Sequence, residues 1–263
     1  LDVEAVVETP PVLRNGRPAR PGVIRLRARN IGDEADTAVI QPRPRGGRLE
    51  ETGAWTFTLA PGAEAERRYD VWAAAGKPGK IHLDVVREGV EGVIAVQMLE
   101  SVDETIAPWP LALNVSALQP GAGRLDTLDR VPPAERLQWR RHAVLPDSHF
   151  CDLHEQLQTV GAEDAVVWMG CRVRCAEPMR VAVLLGYDGP VKLFVDGAAV
   201  FHDPVSKAPA KPDTAASEVD LAAGEHELAL ALGANQGKAW GAFLRLQRLD
   251  LADGKTPVLP EIV

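Results

Sequence analysis

The segment 22–30 (GVIRLRARN) sets Val23, Arg25, Arg27 and Arg29 against Ile24, Leu26 and Ala28. That period of two gives a strand one apolar face and one largely charged face. The same alternation runs through 55–59, where threonines separate Trp55, Phe57 and Leu59, and through 65–72. It returns in 80–86, where Ile81, Leu83 and Val85 point one way. Turn formers stand between these runs: Asn15-Gly16, Pro18, Pro21, Gly32-Asp33, Gly46-Gly47, Pro61-Gly62 and Pro78-Gly79. No stretch of this half keeps helical periodicity for three turns. About seven short strands at ~10-residue spacing predict an all-β sandwich over 1–99.

The stretch 98–128 is less regular, although Trp109-Pro-Leu-Ala-Leu-Asn-Val reads as the first strand of a second domain. From 137 the β pattern resumes, near 149–157, 165–175, 180–185, 191–195, 198–201, 217–221, 226–232 and 241–249. The clearest hairpin is 191–201, with Asp196-Gly197 at its tip; the pair supplies the positive φ that a two-residue type I′ turn demands. Roughly eight strands predict a jelly roll or sandwich in preference to an up-and-down barrel. The expected fold is all-β, with two tandem β-sandwiches: 1–99, a linker over 100–108, a second domain over 109–250, and a tail over 251–263.

Length agrees, since 263 residues suit two domains of ~100–150 each. The 29 basic and 37 acidic side chains leave a net charge of −8. That argues against nucleic acid and against an anionic membrane surface, both of which need a basic face. No apolar run approaches the ~18–20 residues of a membrane span. Leu1 is not an initiator methionine and no signal-peptide order comes after it, so the chain reads as a processed product or a piece of something longer. Three cysteines cannot form a complete disulfide set. With Cys171 and Cys175 on one strand, their separation of roughly 13 Å is too long for a bridge.

Particular residues carry two resemblances. Ala28-Arg-Asn-Ile-Gly-Asp-Glu, Leu59-Ala-Pro-Gly-Ala-Glu and Gly79-Lys-Ile-His-Leu-Asp-Val resemble the turns and late strand of bacterial immunoglobulin-like accessory domains. Gly186-Tyr-Asp-Gly-Pro-Val-Lys-Leu-Phe-Val-Asp-Gly197, then Leu221-Ala-Ala-Gly-Glu-His226, then Lys238-Ala-Trp-Gly-Ala-Phe-Leu-Arg-Leu246 resemble galactose-binding-like jelly rolls over about 105–250. These resemblances imply an immunoglobulin-like sandwich followed by a jelly roll, as found beside catalytic domains in secreted carbohydrate-active enzymes.

Strand parity supplies a site without any family. Successive hairpin connections alternate between the two ends of a sandwich, so 158–164, 186–190, 202–216 and 233–240 share one end. That end collects Tyr187, Asp188, His202, Asp203, Lys207, Asn235, Gln236, Lys238 and Trp240, and function tends to sit on loops held by a rigid sheet. Tyr187 or Trp240 offers a flat apolar platform for a sugar ring; Asp188, His202, Asp203, Asn235 and Lys238 offer hydrogen bonds. Each has a plainer reading. Trp240 alternates with Ala242 as a core residue would, Asp188 can simply shape its turn, and His202-Asp203-Pro204 is ordinary loop sequence.

Other chemistry is thinner. His149, Cys151, His154, Cys171 and Cys175 lack zinc spacing, and buried thiols with ordinary strand histidines account for them better. A structural calcium ion on Asp188, Asp203 or Asp213 has no D-x-D-x-D-G run behind it. No nucleophile elbow, metalloprotease helix or phosphate loop occurs. An acid pair drawn from Glu155, Glu163, Asp164, Asp188 and Asp203 remains the one hydrolytic arrangement. Asn114-Val-Ser116 matches a glycosylation acceptor, a triplet that chance supplies in a chain of this length. The expected function is therefore non-catalytic: an accessory region binding an oligo- or polysaccharide, with no cofactor, alongside a catalytic domain outside this chain, in a secreted or periplasmic setting. The alternatives are a spacer without a ligand and a small glycan hydrolase.

Overall fold

In the computed structural model, residues 1–51, 53–119, 125–154, 166–205, 207–235, 238–252 and 254–263 are described, with only the backbone for 117–119. The chain is all-β and divides into two units, Leu1–Glu104 and Thr105–Val263. No helix among the described residues is long and apolar enough to cross a membrane.

The first unit contains β1 (Asp2–Thr9), β2 (Val12–Arg14), β3 (Arg17–Arg20), β4 (Gly22–Arg29), β5 (Asp36–Arg45), β6 (Gly47–Leu49), β7 (Trp55–Leu59), β8 (Glu64–Ala73), β9 (Lys80–Arg87), β10 (Val93–Glu100) and β11 (Val102–Asp103). Two four-stranded sheets, β1-β4-β8-β6 and β10-β9-β5-β7, enclose a core that includes Ile24, Leu26, Ile40, Tyr69, Val71, Leu83 and Val85. The arginines of β4 stand on its other face, tied to glutamates: Arg25 to Glu8 at 3.2 Å and Arg27 to Glu66 at 2.9 Å. The strands outnumber the seven that periodicity suggests. In β5, Pro42 and Pro44 fall where the strand has a partner only in β9, because its pairing with β7 ends at Ile40. A proline is tolerated on such an open edge, where its missing N–H leaves no ladder bond unmade.

The stretch 100–108, expected as a linker, is divided between the units. Ser101 bonds Gly79 through N–H and hydroxyl, β11 pairs in parallel with β2, and Asp103 accepts the Gly16 N–H at 2.8 Å. From Thr105 onward the chain pairs instead with the second unit: the Arg248 N–H donates to the Thr105 carbonyl and the Ala107 N–H to the Leu246 carbonyl, both at 2.8 Å.

The second unit contains β12 (Ala112–Gln119), a 3₁₀ turn at Leu125–Thr127, β13 (Trp139–Ala143), β14 (Cys151–Asp152), β15 (Val166–Cys175), β16 (Met179–Tyr187), β17 (Val191–Val195), β18 (Ala198–Asp203), β19 (Ala215–Leu221), β20 (Gly224–Gly233), β21 (Gly241–Arg248) and β22 (Glu261–Ile262). The larger sheet runs β13-β12-β15-β20-β17-β18, with β22 added beside β15, and the smaller runs β14-β21-β16-β19. Their inner faces share a core that includes Val167, Met169, Val183, Leu185, Leu193, Leu230 and Leu244. The tail thus ends as a strand of the larger sheet. That sheet also carries a second apolar layer on its outer face, where Leu125 and Leu137 pack over Trp168, Phe194 and Ala231.

The hairpin β17–β18 turns at Asp196 (φ 49°) and Gly197 (φ 79°), as a type I′ turn requires. A histidine clamps it. His226 Nδ1 lies 2.7 Å from Asp196 Oδ2 and Nε2 lies 2.9 Å from the Ala222 carbonyl oxygen. Both neighbours accept, so the imidazolium satisfies them together, and the hydrogen bond to Asp196, then that to Ala222, raises the His226 pKa. A raised folded-state value stabilises fully below the ordinary value of 6.5 and is lost as pH rises through the folded one. Half-exposed Asp196 screens the pair, which limits the effect to about 1 kcal/mol or less. The second unit's unfolding midpoint is expected to fall as pH rises from the ordinary imidazole value of 6.5 through the raised folded-state one. His226→Gln should remove that component, as thermal melts across the pH series would register.

Candidate functional site

The ends of β14, β16 and β18 and the starts of β17, β19 and β21 meet at one end of the second unit. Their registers place Tyr187 opposite Ala242, Val191 opposite Asp203, and Asp152 opposite Gly241. Two polar groups form there, and they are separate.

The first centres on Tyr187. Its ring is fully buried in the core, so it is no platform for a ligand. The hydroxyl donates to Asp203 Oδ2 at 2.6 Å; the Lys207 ammonium lies 3.0 Å from the same oxygen and 5.3 Å from the Tyr187 ring centre. The Val205 N–H donates to Asp203 Oδ1 at 2.9 Å. Burial and the bond to Asp203 raise the phenol pKa. Burial alone would raise that of Asp203, but the bonds from Tyr187, Val205 and Lys207 outweigh it and hold the carboxyl low. This is a latch between β16 and the loop after β18.

The second group forms around Asp188. With the chain leaving β16, its side chain turns toward β21, where Oδ1 accepts the N–H of Trp240 at 2.9 Å and of Gly241 at 3.2 Å. The side chain therefore fixes the start of β21, more than fifty residues away in sequence. Trp240, whose alternation with Ala242 suggests a core position, is 51% exposed. Its ring lies against His154, with centres 4.2 Å apart, and its carbonyl accepts the Leu153 N–H at 2.7 Å. Beside it, the Ala239 N–H donates to the Ala234 carbonyl and the Lys238 N–H to the Asn235 carbonyl. Asn235 holds φ 49°, a conformation asparagine tolerates better than most residues. Lys238 is exposed.

His202 is not part of either group. It alternates with Phe201, which packs on the core, and stands exposed on the outer face of the larger sheet, opposite Lys192. Asp213 is engaged by Arg245, whose guanidinium also covers Trp109 at 4.4 Å. The three aspartates considered for calcium thus face three different partner sets. Among the described residues no three His, Cys, Asp or Glu side chains gather as a metal site. His149 stacks on Trp109, and Cys151, Cys171 and Cys175 are buried free thiols. Burial pushes the thiols of Cys151 and Cys171 up to about 12. Gln236, Glu155, Glu163 and Asp164 lie outside the described residues.

Among the described residues, the exposed side chains at this end include the Trp240 indole, backed by the His154 imidazole, and Lys238. The tilted contact of His154 with Trp240 is not legible from sequence, because only the pairing of β14 with the start of β21 brings 154 and 240 together.

No family model matches the sequence, and no curated protein is found to match it. Solved structures similar to it include an anti-sigma factor domain-containing protein from Clostridium clariflavum, 14% identical over 98% of this chain and 89% of that one, with a TM-score of 0.30. They also include the GH31 α-xylosidase from Xanthomonas citri, 12% identical over 97% of this chain with a TM-score of 0.34. A third is the α-L-rhamnosidase of Streptomyces avermitilis, 10% identical over 93% of this chain with a TM-score of 0.25. The chain spans 26% of the xylosidase chain and 22% of the rhamnosidase chain.

Proposed function

We propose that this chain is a non-catalytic glycan-recognition region, an accessory part of a carbohydrate-active enzyme, and that its second unit meets the sugar at the Trp240 end. The observation that carries the reading is the half-exposed Trp240 ring, propped by His154 and by the Asp188 carboxylate beneath its backbone. A propped, flat, apolar face suits the C–H face of a sugar ring. The acids speak against hydrolysis by the described residues, because donors already occupy Asp188 and Asp203.

Affinity electrophoresis in gels cast with xylan, mixed-linkage glucan, galactan or pullulan, with and without calcium, tests this. At least one polysaccharide should retard the chain, and Trp240→Ala should weaken that binding about five- to tenfold while the fold survives. Silence across the gels would favour the spacer reading. That second reading has its own observation, an apolar stripe on the outer face of the β10-β9-β5-β7 sheet where Val96 is 61% and Met98 48% exposed. Exposed apolar stripes of this kind mark docking surfaces.

A further inference from the structure

We infer a second saccharide site in the second unit, on the outer face of its larger sheet beneath the turn 131–137, centred on Trp139. It does not rest on the Trp240 site and lies on other elements.

The floor of this site is small by sequence. Asn114, Gly170 and Ala229 are register partners across β12, β15 and β20. Trp139 sits on β13 opposite Ser116, yet its ring reaches across β12: a Cβ on Gly170 would lie 3.0 Å from Trp139 Cη2 and 3.4 Å from Cζ3. Glycine at 170 is therefore what lets the indole lie down along the sheet. The ring remains 36% exposed. Beside it opens a cavity of about 250 Å³, walled by Trp139, Asn114, Arg172 and Glu227 and roofed by Val131 and Leu137.

The polar lining is poised for a ligand. Arg172 and Glu227 are register partners, so one positive and one negative group face the same space. Among the described residues, the Arg172 guanidinium is held only by exposed Glu225 at 3.4 Å. Neither the Glu227 carboxylate nor the Asn114 carboxamide has a side-chain hydrogen-bond partner among the described residues, and both are exposed. A flat apolar ring, a carboxylate acceptor, a guanidinium donor and an amide that does both describe what hydroxyls on a C–H frame require. Because the two charges cancel, an anion would be opposed by Glu227 and a cation by Arg172. The ligand class is a neutral saccharide.

The test is a nitrogen-15 titration of the whole chain, following the indole N–H signals of its six tryptophans, with cellohexaose, xylohexaose, mannohexaose and maltohexaose, and with a galacturonate oligomer as the anionic comparator. At least one neutral oligosaccharide should move the Trp139 signal. Calorimetry should then show that binding weakened about tenfold in Trp139→Ala and threefold or more in Glu227→Gln, and unchanged at this site in Trp240→Ala. Glu227→Gln alters an exposed side chain and guards against a mere folding defect. No movement of the Trp139 signal with any neutral oligosaccharide, or tighter binding of the galacturonate, overturns the inference. Movement of the Trp240 signal alone removes this site and leaves the proposed function standing; movement of the Trp139 signal alone does the reverse for the Trp240 end.

Discussion

Gly186→Ala is expected to destabilise the second unit by about 3 kcal/mol. The residue lies in β16 opposite Phe243, and a Cβ there would stand 2.0 Å from the Lys211 carbonyl oxygen and 3.0 Å from Phe243 Cδ2. No side-chain rotation relieves the first contact, since the obstructing atom is backbone. The segment around 211 would have to lift, and it is anchored. The Thr214 hydroxyl donates toward the Leu185 carbonyl, and Asp213 holds the Arg245 guanidinium that covers Trp109. Lifting the segment therefore strains the ion pair and the aromatic stack behind it. Two transitions are expected from a chain of two units, so the measured quantity is the midpoint of each, not one global free energy. The second unit's midpoint should fall while the first unit's stays. Gly79→Ala is the control: its Cβ would meet only the Lys77 carbonyl at 3.9 Å, and it should shift stability by about 0.5 kcal/mol or less. Equal effects from the two substitutions would overturn this account.

The same crowding explains what the sequence can and cannot disclose. β4 is legible because one of its faces is solvated, so arginines mark three of its four outward positions. The hairpin of β17 and β18 is legible from Asp196-Gly197 alone, because a type I′ turn admits few other pairs. Along β16 the marks are missing. From Val181 to Tyr187 every residue is buried, and the segment around Lys211 closes over Gly186. With both faces apolar, periodicity does not say that Tyr187 points inward. Trp240 misleads in the opposite direction. It precedes β21 and belongs to the connection, so its spacing from Ala242 does not fix a shared face. Strand parity needs only the order of the strands, and residues 187, 188, 203 and 240 do lie at one end. Which of them stay available to a ligand depends on hydrogen bonds between residues 16 and 52 positions apart, and those leave no local pattern.

Asp188→Ala is the other large effect expected, again about 3 kcal/mol from the second unit. The carboxylate is 6% exposed and accepts two backbone N–H groups at the start of β21. Alanine would leave both donors without this acceptor in a buried site, at roughly 1–3 kcal/mol for each unsatisfied group. The replacement cannot be compensated by moving the strand, because Gly241 is already packed so tightly that a Cβ on it would lie 2.0 Å from the Cys151 carbonyl oxygen. Asp188→Asn separates the structural role from a chemical one. Its carboxamide oxygen can still accept from Trp240 and Gly241, so most of the stability should return, with a loss of about 1 kcal/mol from the weaker neutral bonds. Polysaccharide retardation should follow the same order, lost with alanine and largely kept with asparagine, because Asp188 acts by holding the Trp240 backbone in place. If asparagine keeps the unfolding midpoint yet abolishes retardation as fully as alanine does, the carboxylate itself meets the ligand and the positioning role assigned to it is wrong.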